Sequence, residues 1–273
     1  MKSNQRIGRI DYSSDQENES DITIYVEELM DSAYGYYIWP SSLVLSRYVW
    51  YHRNSFKNKS VLEVGAGTSL PSLVLTKLEP HPYLIVTDIP SIIPVARSCL
   101  KLNGISTTEK NGTFVSSTSN LWVRALEWGD IESINGVDRL VNDICIEWHG
   151  RKLDYILGSD TFYDPADFEK LLMTVAYVIH RHNSKCKFVS AYQERSSKRS
   201  IQFLLDKWSL QCRLISRDSF EFDEWQFVGD ENGDDDHRDD RIDDDVTIPH
   251  VKVNSGTLTS VFVLEISAKV PTG

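Results

Sequence analysis

A doubly wound α/β domain is the fold that the sequence predicts, with a mostly parallel seven-stranded sheet edged by a C-terminal antiparallel hairpin, and three observations carry it. Short apolar runs alternate with segments whose apolar residues recur at helical spacing. The run Val61-Leu-Glu-Val64 leads through Gly65-Ala66-Gly67 into one such segment, and a second strand-and-helix unit follows directly, which calls for parallel neighbours in one sheet. The final third keeps two strand-like runs with no helical pattern between them. At 273 residues the chain can cover both faces of one sheet but is short for two independent cores.

Residues 1–20 are polar without a hydrophobic period and predict a flexible N-terminal tail, which places the domain proper at 21–273. Ser41-Ser42 stand before Leu43, Val44, Leu45, Tyr48 and Val49 and read as a helix start. Residues 60–64 form a strand, and Leu70, Leu73, Val74 and Leu78 follow at helical spacing. A strand at 83–87 ends at Asp88, ahead of a helix at 92–102. Residues 103–120, rich in Ser, Thr, Asn and Gly, predict a surface loop before a strand at 121–126 and the turn Glu127-Trp-Gly-Asp130. The alternation continues with a strand at 154–158, a helix at 165–180, a strand at 187–191 and a helix at 197–208. Strands at 211–216 and 257–267 then pair antiparallel around an acidic loop near 229–247, which is expected to be disordered.

The formal net charge of −11 is mostly local. Residues 230–245 hold ten carboxylates against Arg238 and Arg241 and contribute −8, so the rest of the chain sums to −3. A nearly neutral body offers no clustered basic face for duplex nucleic acid, and direct nucleic-acid binding is not expected. The acidic run is read as a solvated loop, with attraction of a basic tail the competing reading. Cys99, Cys145, Cys186 and Cys212 are scattered without metal-ligand spacing, which predicts a reducing compartment and no metal. The polar start and the absence of a bilayer-length apolar run predict no membrane association and a location in the nucleus and cytoplasm.

A glycine loop between strand and helix lets a cofactor approach the backbone without meeting a Cβ. The dinucleotide pattern wants a third glycine where Leu70 stands. S-adenosylmethionine needs no pyrophosphate cradle. Its sulfonium, ammonium and ribose diol favour carboxylates, and Glu63 and Asp88 meet that need, although the spacing of Asp88 from the glycines alone equally permits a nicotinamide dinucleotide. The competing reading makes the glycines a tight turn and Asp88 a helix cap, but it leaves Glu63 unexplained, a carboxylate inside a run that is otherwise a buried strand. Trp39 and Trp128 read either as core residues or, near turns, as functional ones, and Trp128 beside Gly129 offers an indole face on which an adenine can stack.

Tyr37-Ile-Trp39-Pro40, Val61-Leu-Glu-Val-Gly-Ala-Gly67, Thr87-Asp88, Leu126-Glu-Trp-Gly129 and Leu157-Gly-Ser-Asp160-Thr-Phe-Tyr163 together resemble the seven-beta-strand protein methyltransferases of the lysine-methyltransferase-like group, over about residues 34–267. The resemblance implies S-adenosyl-L-methionine as cofactor, held by Trp39, Glu63, Gly65, Ala66, Gly67, Asp88, Trp128 and Ser159. It matches Asp160 to Tyr163 to the family's D-x-x-Y/F element, so Asp160 is the leading catalytic residue and Tyr163 shapes the channel; Asp164 and Glu194 are alternative carboxylates. Within the group, Trp39-Pro40, Gly67-Thr-Ser-Leu-Pro71, Ser159-Asp160, Asp167-Phe168 and Tyr192-Gln193 are most similar to a branch for which arginine of histone H3 is the expected acceptor, whereas the wider group mostly modifies lysines. A non-catalytic cofactor-binding scaffold is the alternative outside enzymology.

Overall fold

Strands covered by helices on both faces must be apolar on both faces, and the central runs of this chain meet that demand. The computed structural model describes residues 5–14, 20–29, 37–118, 120–196, 200–229 and 248–270. In chain order the elements are β1 (Gln5–Tyr12), β2 (Ile22–Leu29), α1 (Pro40–Tyr51), a short α2 (Arg53–Phe56), β3 (Ser60–Glu63), α3 (Leu70–Leu75), β4 (Tyr83–Asp88) and α4 (Ile93–Leu102). There follow β5 (Thr107–Lys110), β6 (Thr113–Ser116), β7 (Leu121–Ala125), α5 (Val137–Glu147), β8 (Tyr155–Ser159) and α6 (Pro165–Tyr177), which runs on into a π turn at Val178–His182. The chain ends with β9 (Lys187–Gln193), α7 (Gln202–Lys207), β10 (Leu210–Ile215) and β11 (Val261–Ala268).

The main sheet has the order β10-β11-β9-β8-β3-β4-β7-β6-β5. The pairs formed by β7, β4, β3, β8 and β9 are parallel, and β11 lies antiparallel between β9 and β10. All seven predicted strands are present. Strand pleating sends alternate residues to opposite faces: Leu62, Ile85, Trp122, Ile156 and Phe188 pack toward α5, α6 and α7, while Val61, Val86, Val123, Leu157 and Val189 pack toward α1, α3 and α4. Truncating one of these fully buried side chains, such as Leu62→Ala, costs about 2–5 kcal/mol.

The sheet differs from the prediction in having nine strands, because the expected loop at 103–120 contains the hairpin β5–β6, which pairs on β7 and extends the edge. Its turn is Asn111-Gly112, with φ +53° and +78°, the left-handed conformations that a two-residue hairpin requires. Polar, exposed residues on β5 hid this strand from a reading based on hydrophobicity. A second correction concerns the N-terminal tail. Residues 5–12 are β1, paired antiparallel with β2 from Gln5↔Leu29 to Tyr12↔Ile22. Ile10, Tyr12, Ile24 and Val26 bury one face of this ribbon in the core, and Tyr12 Oη donates to Ser46 Oγ at 2.7 Å. Only alternate residues of such a ribbon need to be apolar, which made it look polar overall. The remainder of the tail reading, at 1–4 and 15–19, and the acidic loop at 230–247 lie outside the described residues.

Helix boundaries shift for local reasons. α1 starts at Pro40, ahead of Ser41-Ser42, because Pro fits the first helical position, and this leaves Trp39 at the N-cap. α7 covers 202–207 of the predicted 197–208, of which 197–199 lie outside the described residues, and α5 is an element beyond those predicted, with Val137, Leu140, Val141 and Ile144 at helical spacing. From β3 the chain builds outward to β4 and β7, then returns to the other side for β8 and β9. The crevice at this reversal, above the C-terminal ends of β3, β4 and β8, is where doubly wound sheets hold ligands.

Candidate active site

The loop after β3 turns through left-handed backbone at Gly65 (φ +59°) and Gly67 (φ +50°). A Cβ on Gly65 would stand 2.8 Å from Cζ2 of Trp128, so glycine is required both for the turn and for the close approach of the indole. The loop is stitched to β4 by Ala66 N–H donating to Thr87 O (3.0 Å) and Gly67 N–H donating to Asp88 Oδ2 (2.8 Å). Ile89 N–H donates to the other oxygen of Asp88 at 2.7 Å. Burial pushes the Asp88 carboxyl up to about 6, against the opposing pull of these two backbone donors.

Glu63 sits one layer below the cavity lining. It is fully buried beneath the loop, it does not reach the cavity, and it accepts hydrogen bonds from Ser72 N–H (3.1 Å) and Ser72 Oγ. It thereby ties the end of β3 to α3. Burial raises its carboxyl to about 8, with the Ser72 donors opposing and the nearby Asp88 charge adding to the rise. Glu63 thereby supports the loop from below, and its second oxygen, Oε1, is buried with no partner among the described residues.

The remaining site residues converge. Trp39, Gly65, Ala66, Gly67, Asp88, Trp128, Ser159, Asp160 and Tyr163 all line one cavity of about 920 Å³. Ile89, Ile92, Leu126 and Trp128 supply an apolar wall beside the Asp88 carboxylate, a pairing that suits an adenine next to a ribose diol. Ser159 Oγ is buried without a hydrogen-bond partner at the end of β8. An orphaned hydroxyl costs free energy unless a ligand's polar group meets it, and the amino-acid end of S-adenosylmethionine carries such groups. The donor set therefore fits this cofactor.

At the other end of the cavity, Asp160 follows β8 in left-handed backbone (φ +55°) and is 6 % exposed. Its own N–H donates to Ala191 O at 2.7 Å, and its Oδ1 accepts from Gln193 N–H at 3.3 Å. Arg195 completes the grip with a two-pronged ion pair, Nη1 to Oδ1 at 2.9 Å and Nη2 to Oδ2 at 2.5 Å. Sequence reasoning missed Arg195, since 35 positions separate it from Asp160 and only the parallel pairing of β8 with β9 brings the two strand ends together. Tyr163 is 38 % exposed on the cavity wall. Asp164 also lines the cavity, where it caps α6 by accepting Ala166 N–H at 2.9 Å, whereas Glu194 lies outside it. Five carboxylates, those of Asp88, Glu127, Asp160, Asp164 and Asp167, surround the cavity against Lys170 and Arg195. Both cations are already paired, Lys170 with Asp167 and Arg195 with Asp160. The excess of negative charge favours cationic occupants.

Known proteins agree with this geometry. The family model described as lysine methyltransferase matches residues 16–207. The histone-arginine methyltransferase METTL23 of Xenopus laevis is 33 % identical over 231 residues, which are 83 % of this chain and 88 % of that protein. Its Homo sapiens counterpart is 33 % identical over 68 % of this chain and 85 % of its own length. The protein-lysine methyltransferase METTL21E of Mus musculus is 29 % identical over 52 % of this chain and 50 % of its length. The branch expected from the sequence motifs is the one to which these METTL23 relatives belong. With the family model spanning most of the chain and the glycine loop, Asp88 and Asp160 gathered on one cavity, this chain belongs to the lysine methyltransferase family of S-adenosylmethionine-dependent enzymes.

Proposed function

We propose that the chain methylates arginine side chains of a protein, with histone H3 as the substrate to test first, acting in the nucleus as well as the cytoplasm. The observation that carries this reading is the acidic cavity, where Asp88, Glu127, Asp160, Asp164 and Asp167 stand against Lys170 and Arg195, both already paired, so that a carboxylate is offered to a cationic acceptor. A planar, two-pronged guanidinium matches such a carboxylate, whereas an ammonium meets it only as a point charge. The names of the METTL23 relatives support the same acceptor.

The cofactor, when bound, supplies an electrophilic methyl on its sulfonium. The chain itself contributes position and field. The glycine loop, Trp128 and Trp39 surround the cofactor end, while Asp88 receives hydroxyl donors. Asp160 and the acidic rim around it orient a basic side chain, which raises the fraction of encounters that are in line, and a carboxylate there takes the proton that the nitrogen sheds as it is methylated. Tyr163 narrows the entrance.

The test is incubation of the purified chain with methyl-labelled S-adenosylmethionine and histone H3, with the label located by mass spectrometry and Asp88→Ala as control. Label on arginine, lost in the control, is the expected result. Label on lysine would reassign the acceptor to an ammonium, and absence of label despite measurable cofactor binding would reject a histone substrate in favour of a scaffold or another acceptor.

A further inference from the structure

A second cavity, of about 260 Å³, shares no lining residue with the methyl-transfer site. It lies between β1, α1 and two later segments, and its polar lining includes Arg9, Asp11, Arg47, His250 and Lys252. We propose that this cavity binds a phosphate-type dianion.

The walls are fixed by the backbone. Arg9 N–H donates to Pro249 O and Val251 N–H to Arg9 O, each at 2.9 Å, so the segment around His250 lies alongside β1. Gly8 permits this approach, because a Cβ there would stand 2.6 Å from Val251 Cγ2. On the other side, Trp50 Nε1 donates to Ser13 O at 2.8 Å and locks α1 to the end of β1. Lys252 Nζ donates to Gln226 O at 3.1 Å and closes the rim. The cavity is therefore preformed by the fold.

Its charge is the reverse of the chain's. In a protein of net charge −11, Arg9, Arg47 and Lys252 face a single carboxylate among the described residues, Asp11. That carboxylate is shared by Arg9 Nε at 3.7 Å and His250 Nε2 at 2.7 Å. Among the described residues, the three cations against Asp11 leave two positive charges uncompensated, which one dianion neutralises. Arg47 is the telling member. It has no ion pair with any described carboxylate, and its Nε is buried without a hydrogen-bond partner. A buried guanidinium nitrogen without an acceptor is costly, and arginine forks match the oxygens of a phosphate better than those of any monovalent halide. Both arginines stand on regular elements, β1 and α1, so little side-chain order remains to be imposed on binding.

The experiment titrates the full chain with inorganic phosphate at constant ionic strength, read by calorimetry. Saturable binding is expected, weakened about tenfold or more by Arg47→Met, with S-adenosylmethionine affinity unchanged in the variant. Lys252→Met, at the rim, gives a smaller loss of the same sign and serves if the Arg47 variant does not fold. Absence of saturable binding by the wild-type chain, equal binding by both variants, or equal competition by chloride would each overturn the proposal. A phosphoserine peptide that binds more tightly than inorganic phosphate supports the site and assigns its ligand to a modified side chain; weaker or equal binding of the peptide supports it and assigns the free ion.

Discussion

At the cofactor end of the cavity, shape comes from near neighbours in the chain and from the backbone: the loop after β3 is held by β4, and Gly67 N–H meets a carboxylate 21 residues on. At the acceptor end, shape comes from side-chain charge across a longer separation, with Asp160 gripped by Arg195 and by the end of β9. The first end is a fixed seat whose tolerance for change is steric. The second is an electrostatic device whose tolerance depends on charge and fork geometry, and it is the end where related enzymes can diverge in acceptor while they keep one cofactor.

The sharpest way to break this contrast is Asp160→Ala. If Asp160 acts only on the acceptor, kcat/KM for the protein substrate falls by about a hundredfold or more while cofactor affinity, measured by calorimetry, stays within error of wild type. Full turnover by this variant would end its catalytic assignment, and a parallel loss of cofactor binding would show that the two ends are not separable.

Gly65→Ala probes the steric end. The added Cβ meets Trp128 at 2.8 Å in backbone that is already left-handed, and displacement of the indole together with the strain should weaken cofactor binding by about thirtyfold, corresponding to about 2 kcal/mol. Unchanged affinity would mean that Trp128 moves aside freely and does not shape the seat.

A smaller effect is expected at Arg195. Its guanidinium occupies one lone-pair direction on each oxygen of Asp160, so a substrate cation must share or displace it. Arg195→Met should change KM for the basic substrate by about tenfold with a smaller change in kcat, and Arg195→Lys, which keeps the charge and loses the fork, should fall between. If Lys and Met behave alike, the fork rather than the charge sets the position of Asp160; if neither alters KM, Arg195 has no part in acceptor binding.

The same contrast explains what was legible in the sequence. Gly65, Gly67 and Asp88 sit within two consecutive strand-and-helix units, so their convergence follows from local pattern. The parallel core was equally legible, because buried strands such as Val61-Leu62 and Ile85-Val86 must be apolar on both faces. Arg195 was not, since an ion pair across 35 residues leaves no periodic trace. Strands β1 and β5 were hidden for a related reason: sheet edges and two-stranded ribbons expose one side and dilute the hydrophobic signal, and in β5 only the Asn111-Gly112 turn marks the hairpin. Glu63 was noticed for the right reason, a carboxylate inside an apolar strand, while its partner Ser72, on the next helix, left no mark in the pattern.

Glu63 gives an effect on stability rather than on turnover, and one that reads the cofactor seat without cofactor. Its carboxyl is raised from 4.5 to about 8 in the folded chain, so the native state holds a proton that the unfolded chain has released, and the associated stability is complete below pH 4.5 and is lost as pH rises through about 8. Asp88, raised from 3.8 to about 6, acts in the same sense but over a lower window, and His182, lowered from 6.5 to about 4, acts in the opposite sense below pH 6.5. Between about pH 6.5 and 8 the slope among these three groups therefore belongs to Glu63, up to about 1.4 kcal/mol per pH unit. Urea midpoints across that interval should decline for the wild-type chain and stay level for Glu63→Gln, which keeps the shape of a protonated acid. An equal decline in the variant would mean that Glu63 is ionised beneath the loop, and Ser72 would then be holding a charge in the floor of the cofactor seat rather than a neutral acid.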